Sequence, residues 1–549
     1  MDRLAVELCS SSSHENFQLS FCVTSTYCFG SMLSHNVLSV GKLSHRCVFI
    51  KGYLTTQMMA TRRSISTASR DYNEALNLLS TLYSNRQITN LFDKPTSQNA
   101  SLEQAKDLNA LALPEMREWL RRAGYEPKDL ARLRHIHIAG TKGKGSVSAF
   151  ATGMLRQYET VGTYTSPHLV SPRERIAIQG EQVSQALFAE AFFELWERLS
   201  HAAKKEGQSI TDSNGPNSKP FFFRFMTLLA WHIFLREKVD SVVLECGIGG
   251  EYDATNVVPT EAVSAAVISQ LGIDHVTMLG DTVEKISWHK AGILKPGVRG
   301  FVRRMDEKPS VREILQQRAA EKGAELIELD DASVEQWGGV VGRLPGDFQK
   351  YNQALAVLAV RQHLGMDVEP ATALLNLPDK MITGLKEASL RGRCEIIQQG
   401  HIEWHLDGAH TKDSMHEVAK WFAASIGKNE SAMLVFNQQE RDAAQLLAGL
   451  LDTIQEVTGR ENVFSHAFFT RNDQEKSSSG EAGDLTVQTR VAESMGQRVA
   501  GCQIKTFDNT QDTVAEAKKV AGSNQKVLVT GSMHLVGGIL RVLEPEGLL

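Results

Sequence analysis

The chain has 549 residues, 42% of them hydrophobic and 22% charged, with a formal net charge of −5. That length exceeds one ordinary domain, the composition is globular, and the slight acid excess removes the electrostatic footprint of a DNA- or RNA-binding surface. Seven cysteines without metal-ligand spacing read as scattered reduced thiols, and no apolar run approaches a membrane span.

In chain order, the first segment is a leader. From Asn16 to Arg70 there is no Asp or Glu, while Lys42, Arg46, Lys51, Arg62, Arg63 and Arg70 are basic, and the segment ends in "MMATRRSISTASR". Arg- and Ser-rich, acid-poor composition is that of an organelle-import segment, with the mitochondrion as the expected destination. A disordered tail, or an extension upstream of a start at Met58 or Met59, has the same composition. Residues 1–70 are therefore set apart from the fold.

After the leader, Ala75, Leu76, Leu79 and Leu82 recur at helical spacing from Tyr72 onward, and Leu113, Met116, Trp119 and Leu120 predict a second helix. Leu133 to Ile138 alternates as a strand, and Val147, Phe150, Met154, Leu155 and Tyr158 follow at helical spacing. Between them lies "GTKGKGS", residues 140–146. Glycines there let backbone N–H groups close on an anion at a helix N-terminus, Lys144 adds a full charge, and Ser146 offers a metal-side hydroxyl. A plain glycine-rich turn with solvated lysines is the alternative.

Further strands are expected at Ser241–Leu244, Ala265–Ser269, Ala432–Phe436 and Lys526–Val529, and helices at Leu187–Leu199, Phe225–Leu235 and Tyr351–Leu364. Alternation of this kind implies an α/β fold with parallel sheets, whose ligands sit at strand carboxyl ends. "EGQSITDSNGPNSKP" and "RNDQEKSSSGEAGD" read as exposed insertions, and "LPDKMITGLKEASLRGR", from Leu377 to Arg393, as a domain boundary. No internal repeat is present.

Three strand ends carry chemistry. Glu245 closes the run in "VVLECGIGG" and is the metal-ligand candidate, against the alternative of a carboxylate facing water or capping a turn. Asp274 and His275 follow the next strand, and Asp281 with Glu284 opens a capping-box-like helix that ends near Lys290. Later, Arg393 precedes Asp407-Gly408-Ala409-His410, a guanidinium for phosphate and a carboxylate for ribose hydroxyls.

Together, "AGTKGKGS", "TYTSPHLVSPRERI", "PFFFRFMTLLA", "LECGIGGEYDATN", "LGIDHVTMLGDTVEKISWHKAGI", "LDGAHT", "FNQQERDAAQLL" and "VTGSMHLVGG" resemble, in order, the folylpolyglutamate synthases, members of the Mur-ligase-like ATP-dependent amide ligases. The leader and "GIGGEYDATN" are similar to fungal members. The resemblance implies an N-terminal phosphate-loop domain over residues 71–384 and a smaller Rossmann-like glutamate-ligase domain over residues 385–549. It implies nucleotide contacts from Gly140, Thr141, Lys142, Gly143, Lys144, Gly145, Ser146, Arg393 and Asp407. Metal ligands fall on Ser166, Glu245 and His275, and catalytic roles on Lys144, Lys290 and His275; Lys290 matches a lysine that is carbamylated in related ligases. Pro172 stands where a non-proline is common, which bears on the shape of the loop leading to Arg173 and Arg175.

The implied reaction adds L-glutamate to the γ-carboxylate of tetrahydrofolate and its polyglutamates through an acyl phosphate. The implied cofactors are ATP, Mg2+ and a monovalent cation such as K+. Dihydrofolate synthase, with dihydropteroate as acceptor, is the alternative, and a nucleotide-binding switch a more distant one. The expected enzyme is a monomer, soluble or peripherally membrane-associated, in the mitochondrial matrix or at the inner membrane and in the cytoplasm, without nucleic-acid partners.

Overall fold

Alternation of short β-branched runs with longer amphipathic stretches produces two sheets, each covered by helices on both faces. The computed structural model describes residues 70–84, 102–207, 213–439, 442–473 and 484–545. The leader predicted for residues 1–70 lies outside these except for Arg70, as does most of the insertion read after Arg471. No helix among the described residues is long and apolar enough to cross a membrane.

The first sheet holds β1 (Arg134–Ala139), β2 (Val161–Tyr164), β3 (Ile176–Ile178), β4 (Glu181–Gln182), β5 (Ser241–Glu245), β6 (Val263–Ile268), β7 (Arg299–Arg303) and β8 (Glu325–Leu329). Their order is β4-β3-β2-β5-β1-β6-β7-β8. The pairings from β2 to β8 are parallel, whereas β2 with β3 and β3 with β4 are antiparallel, an edge ribbon that the strand and helix alternation did not suggest. Period-2 alternation along β5 divides its side chains between two cores. Val242 and Leu244 pack with α1 (Gln185–Lys205) and α2 (Phe222–Arg236), and Val243 packs on the opposite face. Glu245, two residues beyond Val243, falls on that second face.

The second sheet holds β9 (Glu395–Gln399), β10 (Ile402–Leu406), β11 (Ala432–Phe436), β12 (Phe464–Thr470), β13 (Gln503–Phe507) and β14 (Gln525–Thr530) in the order β13-β12-β11-β14-β10-β9. All its pairings are parallel except β9 with β10. The last helix, Met533–Leu543, contributes Leu535, Val536, Ile539 and Leu540 to one of its two cores.

Two loop-like stretches are more structured than their composition suggests, and the second corrects the expectation of an exposed insertion. The stretch read as a domain boundary, Leu377–Arg393, contains the helix Asp379–Glu387, which starts after Pro378 and backs Gly384 directly onto Gly153. The proline is a helix start, compatible with its fixed φ, and the glycine a close-contact point. The insertion before Phe221 also turns inward where it is described. Lys219 is fully buried over the Trp196 ring, and its ammonium donates to Ser200 Oγ, Ser213 O, Gly215 O and Ser218 Oγ. Four oxygens replace water around that charge, so a polar sequence lies in the interior.

Candidate active site

β1 delivers its chain at Gly140 into the phosphate-like loop, and the helix Lys144–Leu155 leaves from it. Gly143 caps that helix at φ +86°, a left-handed backbone, and no side chain among the described residues caps its first turn. An added Cβ at Gly143 would lie 2.4 Å from Asn352 Oδ1, and one at Gly140 would lie 1.9 Å from Ser269 Oγ. Glycine is thus required on both conformational and steric grounds. The loop is pinned from β6: Thr141 N and Lys142 N donate to Gln270 O, and Ser269 Oγ donates to Lys142 O. Those two N–H groups are engaged by Gln270, which holds the loop in place, and the stretch from Gly143 to Ser146 at the helix start lines the cavity with the Lys144 side chain.

β5 lies beside β1 with Glu245 in register with Ile138, so its carboxylate arrives next to the loop. Glu245 is 2% exposed. Its neighbours are Ser166 N, donating to Oε2 at 3.4 Å, and Lys144 Nζ, 4.0 Å from Oε1. Burial pushes its carboxyl up to about 7, against the lowering effects of Lys144 and of the Ser166 N–H. Lys144 Nζ also donates to Gly140 O at 3.2 Å, and Lys290 Nζ to the same carbonyl at 2.7 Å. Two ammonium groups thus converge on one carbonyl, Lys144 from the cavity side and Lys290 from behind the loop. Burial, then the charge of Lys144, lowers the Lys290 amine to about 8.

His275 follows β6 at φ +50°, opening the short turn Val276–Leu279. Its backbone N donates to Asp274 Oδ1, and burial lowers its imidazole below the usual histidine value. The capping expected from Asp281 falls instead on Thr282, whose side chain accepts from Lys285 N, while Glu284 accepts from Ser310 Oγ; the helix Val283–Lys290 does end at Lys290. Pro172 fits its place: it opens the turn Pro172–Arg175 behind a Ser171 cap, where a missing N–H is no loss.

From the second domain, Asp407 at the end of β10 is 6% exposed and accepts from Cys394 N and Ala409 N, both at 2.8 Å. Burial raises its carboxyl, and Arg393 is the largest opposing effect. Arg393 Nη1 contacts Met533 Sδ at 2.7 Å. One cavity of about 2470 Å³ is lined by the loop from Thr141 to Ser146 together with Ser166, Glu245, His275, Arg393 and Asp407. Gly140 and Lys290 sit behind it, touching the loop from within. Among the described residues no group of three or more His, Cys, Asp or Glu side chains is placed to hold a metal. The donors present are one buried carboxylate with few partners, one hydroxyl and one imidazole. Such a set fits a hard divalent cation that keeps several of its waters.

The sequence reading missed three side chains. Gln349 and Asn352 open the helix Gln349–His363; Gln349 Nε2 reaches Ser146 Oγ at 3.4 Å, and Asn352 Oδ1 abuts Gly143. Two polar residues three apart at the start of an apolar helix were the available signal. Asp253, quoted within "GGEYDATN" without a role, accepts from Gly247 N, Ile248 N, Thr255 N and Thr255 Oγ1 and so fixes the glycine-rich turn after Glu245.

Residues 392–542 match the family model described as "Dihydrofolate synthetase, C-terminal domain". A folylpolyglutamate synthase of Neurospora crassa is 36% identical over 88% of this chain and 93% of its own length. One of Saccharomyces cerevisiae (strain FostersO) is 35% identical over 91% and 92%. Among solved structures, Mycobacterium tuberculosis folylpolyglutamate synthase complexed with ADP and AMPPCP gives a TM-score of 0.58 at 24% identity, covering 80% of this chain and 98% of that one. The apo form of L. casei FPGS gives 0.61 at 20% identity, covering 86% and 99%. At those identities the structures establish a shared fold, the two-domain Mur-ligase-like architecture.

Proposed function

The chain belongs to the folylpolyglutamate synthase family, and from that premise we propose how its cavity adds L-glutamate to the terminal γ-carboxylate of tetrahydrofolate and its polyglutamates at the expense of ATP. The observation that carries this reading is the convergence of the glycine loop, Lys144 and Glu245 of one domain with Arg393 and Asp407 of the other on one cavity.

The backbone N–H groups from Gly143 to Ser146 and the Lys144 ammonium hold the phosphates, with Arg393 and Asp407 contacting the nucleotide from the facing domain. Magnesium held by Ser166 Oγ, Glu245 and His275 would offset charge on the phosphates. The substrate carboxylate oxygen attacks the γ-phosphorus, ADP leaves, and the carboxylate becomes an acyl phosphate. The glutamate amine then attacks the acyl carbon, phosphate departs with the carboxylate oxygen, and the amine proton is released. Lys144 faces the charge that develops on the transferring group, and Lys290 acts from behind the loop through the Gly140 carbonyl. The neutral fraction of Lys290 is also available to take up carbon dioxide as a carbamate. Enclosure by the second domain shields the acyl phosphate from water.

The test is product mass from separate reactions of the purified protein with tetrahydrofolate and with dihydropteroate, each with ATP, magnesium and glutamate. Successive glutamyl additions to tetrahydrofolate are expected. A single addition confined to dihydropteroate would move the acceptor to that of the alternative, and no addition to either would remove the ligase reading. Lys144→Ala is expected to lower turnover by a factor on the order of a hundred or more with unchanged thermal unfolding, because it removes one charge from the transition state and nothing from the core.

A further inference from the structure

The loop between β2 and β3 carries Ser166 at its start, yet three residues later its side chains leave their own domain. Leu169 and Val170 pack against the core of the second sheet, beside residues such as Val536 and Leu540. Leu169 Cδ1 lies where a Cβ on Gly392 would meet it at 2.7 Å, and Leu169 O lies 2.4 Å from where a Cβ on Gly537 would stand. Arg541 Nη2 reaches Leu169 O at 3.5 Å and Val170 O at 3.4 Å. Gly392 immediately precedes Arg393, and its carbonyl accepts from Gly408 N, next to Asp407.

The loop is also stiff. The Glu174 carboxylate gathers Leu169 N, Val170 N and Ser171 N at 2.7 to 2.9 Å. Ser171 Oγ is bonded to Tyr72 Oη at 2.7 Å, and Arg173 stacks on the Tyr72 ring at 5.2 Å. On the side toward Ser166, Arg175 Nε donates to His168 Nδ1 at 2.8 Å, so a displacement of Leu169 is passed along the backbone to Ser166 rather than absorbed.

We infer that Leu169 is a positioning residue, a plug seated between Gly392 and Gly537 that sets the separation between the Ser166–Glu245 end of the first domain and the Arg393–Asp407 end of the second. The inference rests on the proposed function, since those two ends matter together only where one reacting group lies between them. Phosphoryl transfer depends on spacing at the ångström scale, so a loose plug costs turnover while leaving nucleotide binding by the glycine loop intact.

The test compares Leu169→Ala, Leu169→Met and Gly537→Ala by kcat and KM for ATP, with thermal unfolding alongside. Leu169→Ala is expected to lower kcat roughly tenfold or more with KM for ATP within about twofold. Leu169→Met, of similar volume, is expected to restore kcat to within about twofold. Gly537→Ala, whose methyl has no room against the Leu169 carbonyl, is expected to reproduce the loss, and it carries the test alone if Leu169→Ala does not fold. Wild-type kcat in both Leu169→Ala and Gly537→Ala, or a loss that Leu169→Met does not reverse, would overturn the inference. No glutamate addition by the unaltered protein would instead overturn the proposed function.

Discussion

Burial pushes the Glu245 carboxyl up to about 7, with Lys144 the strongest opposing influence. A carboxyl raised in the folded state favours folding when protonated. Its contribution is full below the unfolded value near 4.5 and is lost as pH rises through about 7. Without nucleotide, the protein should therefore lose stability between those pH values. Glu245→Gln, which cannot ionise, should be more stable than the unaltered protein at pH 8 by on the order of 2 kcal/mol, and inactive in ligation. Chemical denaturation at pH 5 and pH 8 checks this. A less stable Glu245→Gln at pH 8 would mean that Lys144 more than offsets the desolvation of the charge. The phosphate loop was legible because its glycines and lysines are neighbours in sequence. Gln349 and Asn352 were not, because they reach the same loop from about 200 residues downstream and their place depends on how the helix Gln349–His363 packs.

At the level of elements, the strand ends give the site its geometry. Parallel order places β2, β5, β1 and β6 side by side, so Ser166, Glu245, the glycine loop and His275 all emerge at one edge of the sheet. The strands before the glycine loop, Glu245 and His275 could be read in advance from alternation, whereas β2 was not among the expected strands and Ser166 followed only from the family resemblance. The antiparallel ribbon of β3 and β4 could not be read either, since strands of three and two residues give too short a pattern. Lys219 shows the limit from the other side: a polar, proline- and glycine-containing stretch is buried because its own carbonyls solvate the ammonium. Gly143→Ala tests the loop. The new methyl would require a left-handed backbone, costing roughly 1–2 kcal/mol, and would collide with Asn352. KM for ATP is expected to rise about tenfold or more, with the unfolding transition lowered by that same strain. An unchanged KM would show that the loop does not need this conformation to bind nucleotide.

For the molecule as a whole, two sheets with separate cores share one cavity, and the Leu169 plug ties them. The first described helix, Tyr72–Thr81, belongs to this arrangement, because Tyr72 braces the same loop that Leu169 anchors. Removing residues 1–69 should therefore leave activity intact, whereas removal through Ser84 should lower kcat by a factor of about ten, which activity assays on the two shortened chains would compare. Equal activity of both would separate this helix from the site. In the proposed reaction the cavity activates a folate carboxylate with ATP before glutamate attacks. That step is tested most directly with tetrahydrofolate carrying oxygen-18 in its terminal γ-carboxylate, incubated with ATP, magnesium and glutamate, with the released phosphate analysed by mass. One labelled oxygen in phosphate is expected for the first glutamyl residue added to each folate, and unlabelled phosphate for later additions, which start from the unlabelled γ-carboxylate of the glutamate just added. Wholly unlabelled phosphate alongside product carrying a single added glutamyl residue would rule out the acyl phosphate, and phosphate release without glutamyl product would rule out the ligase.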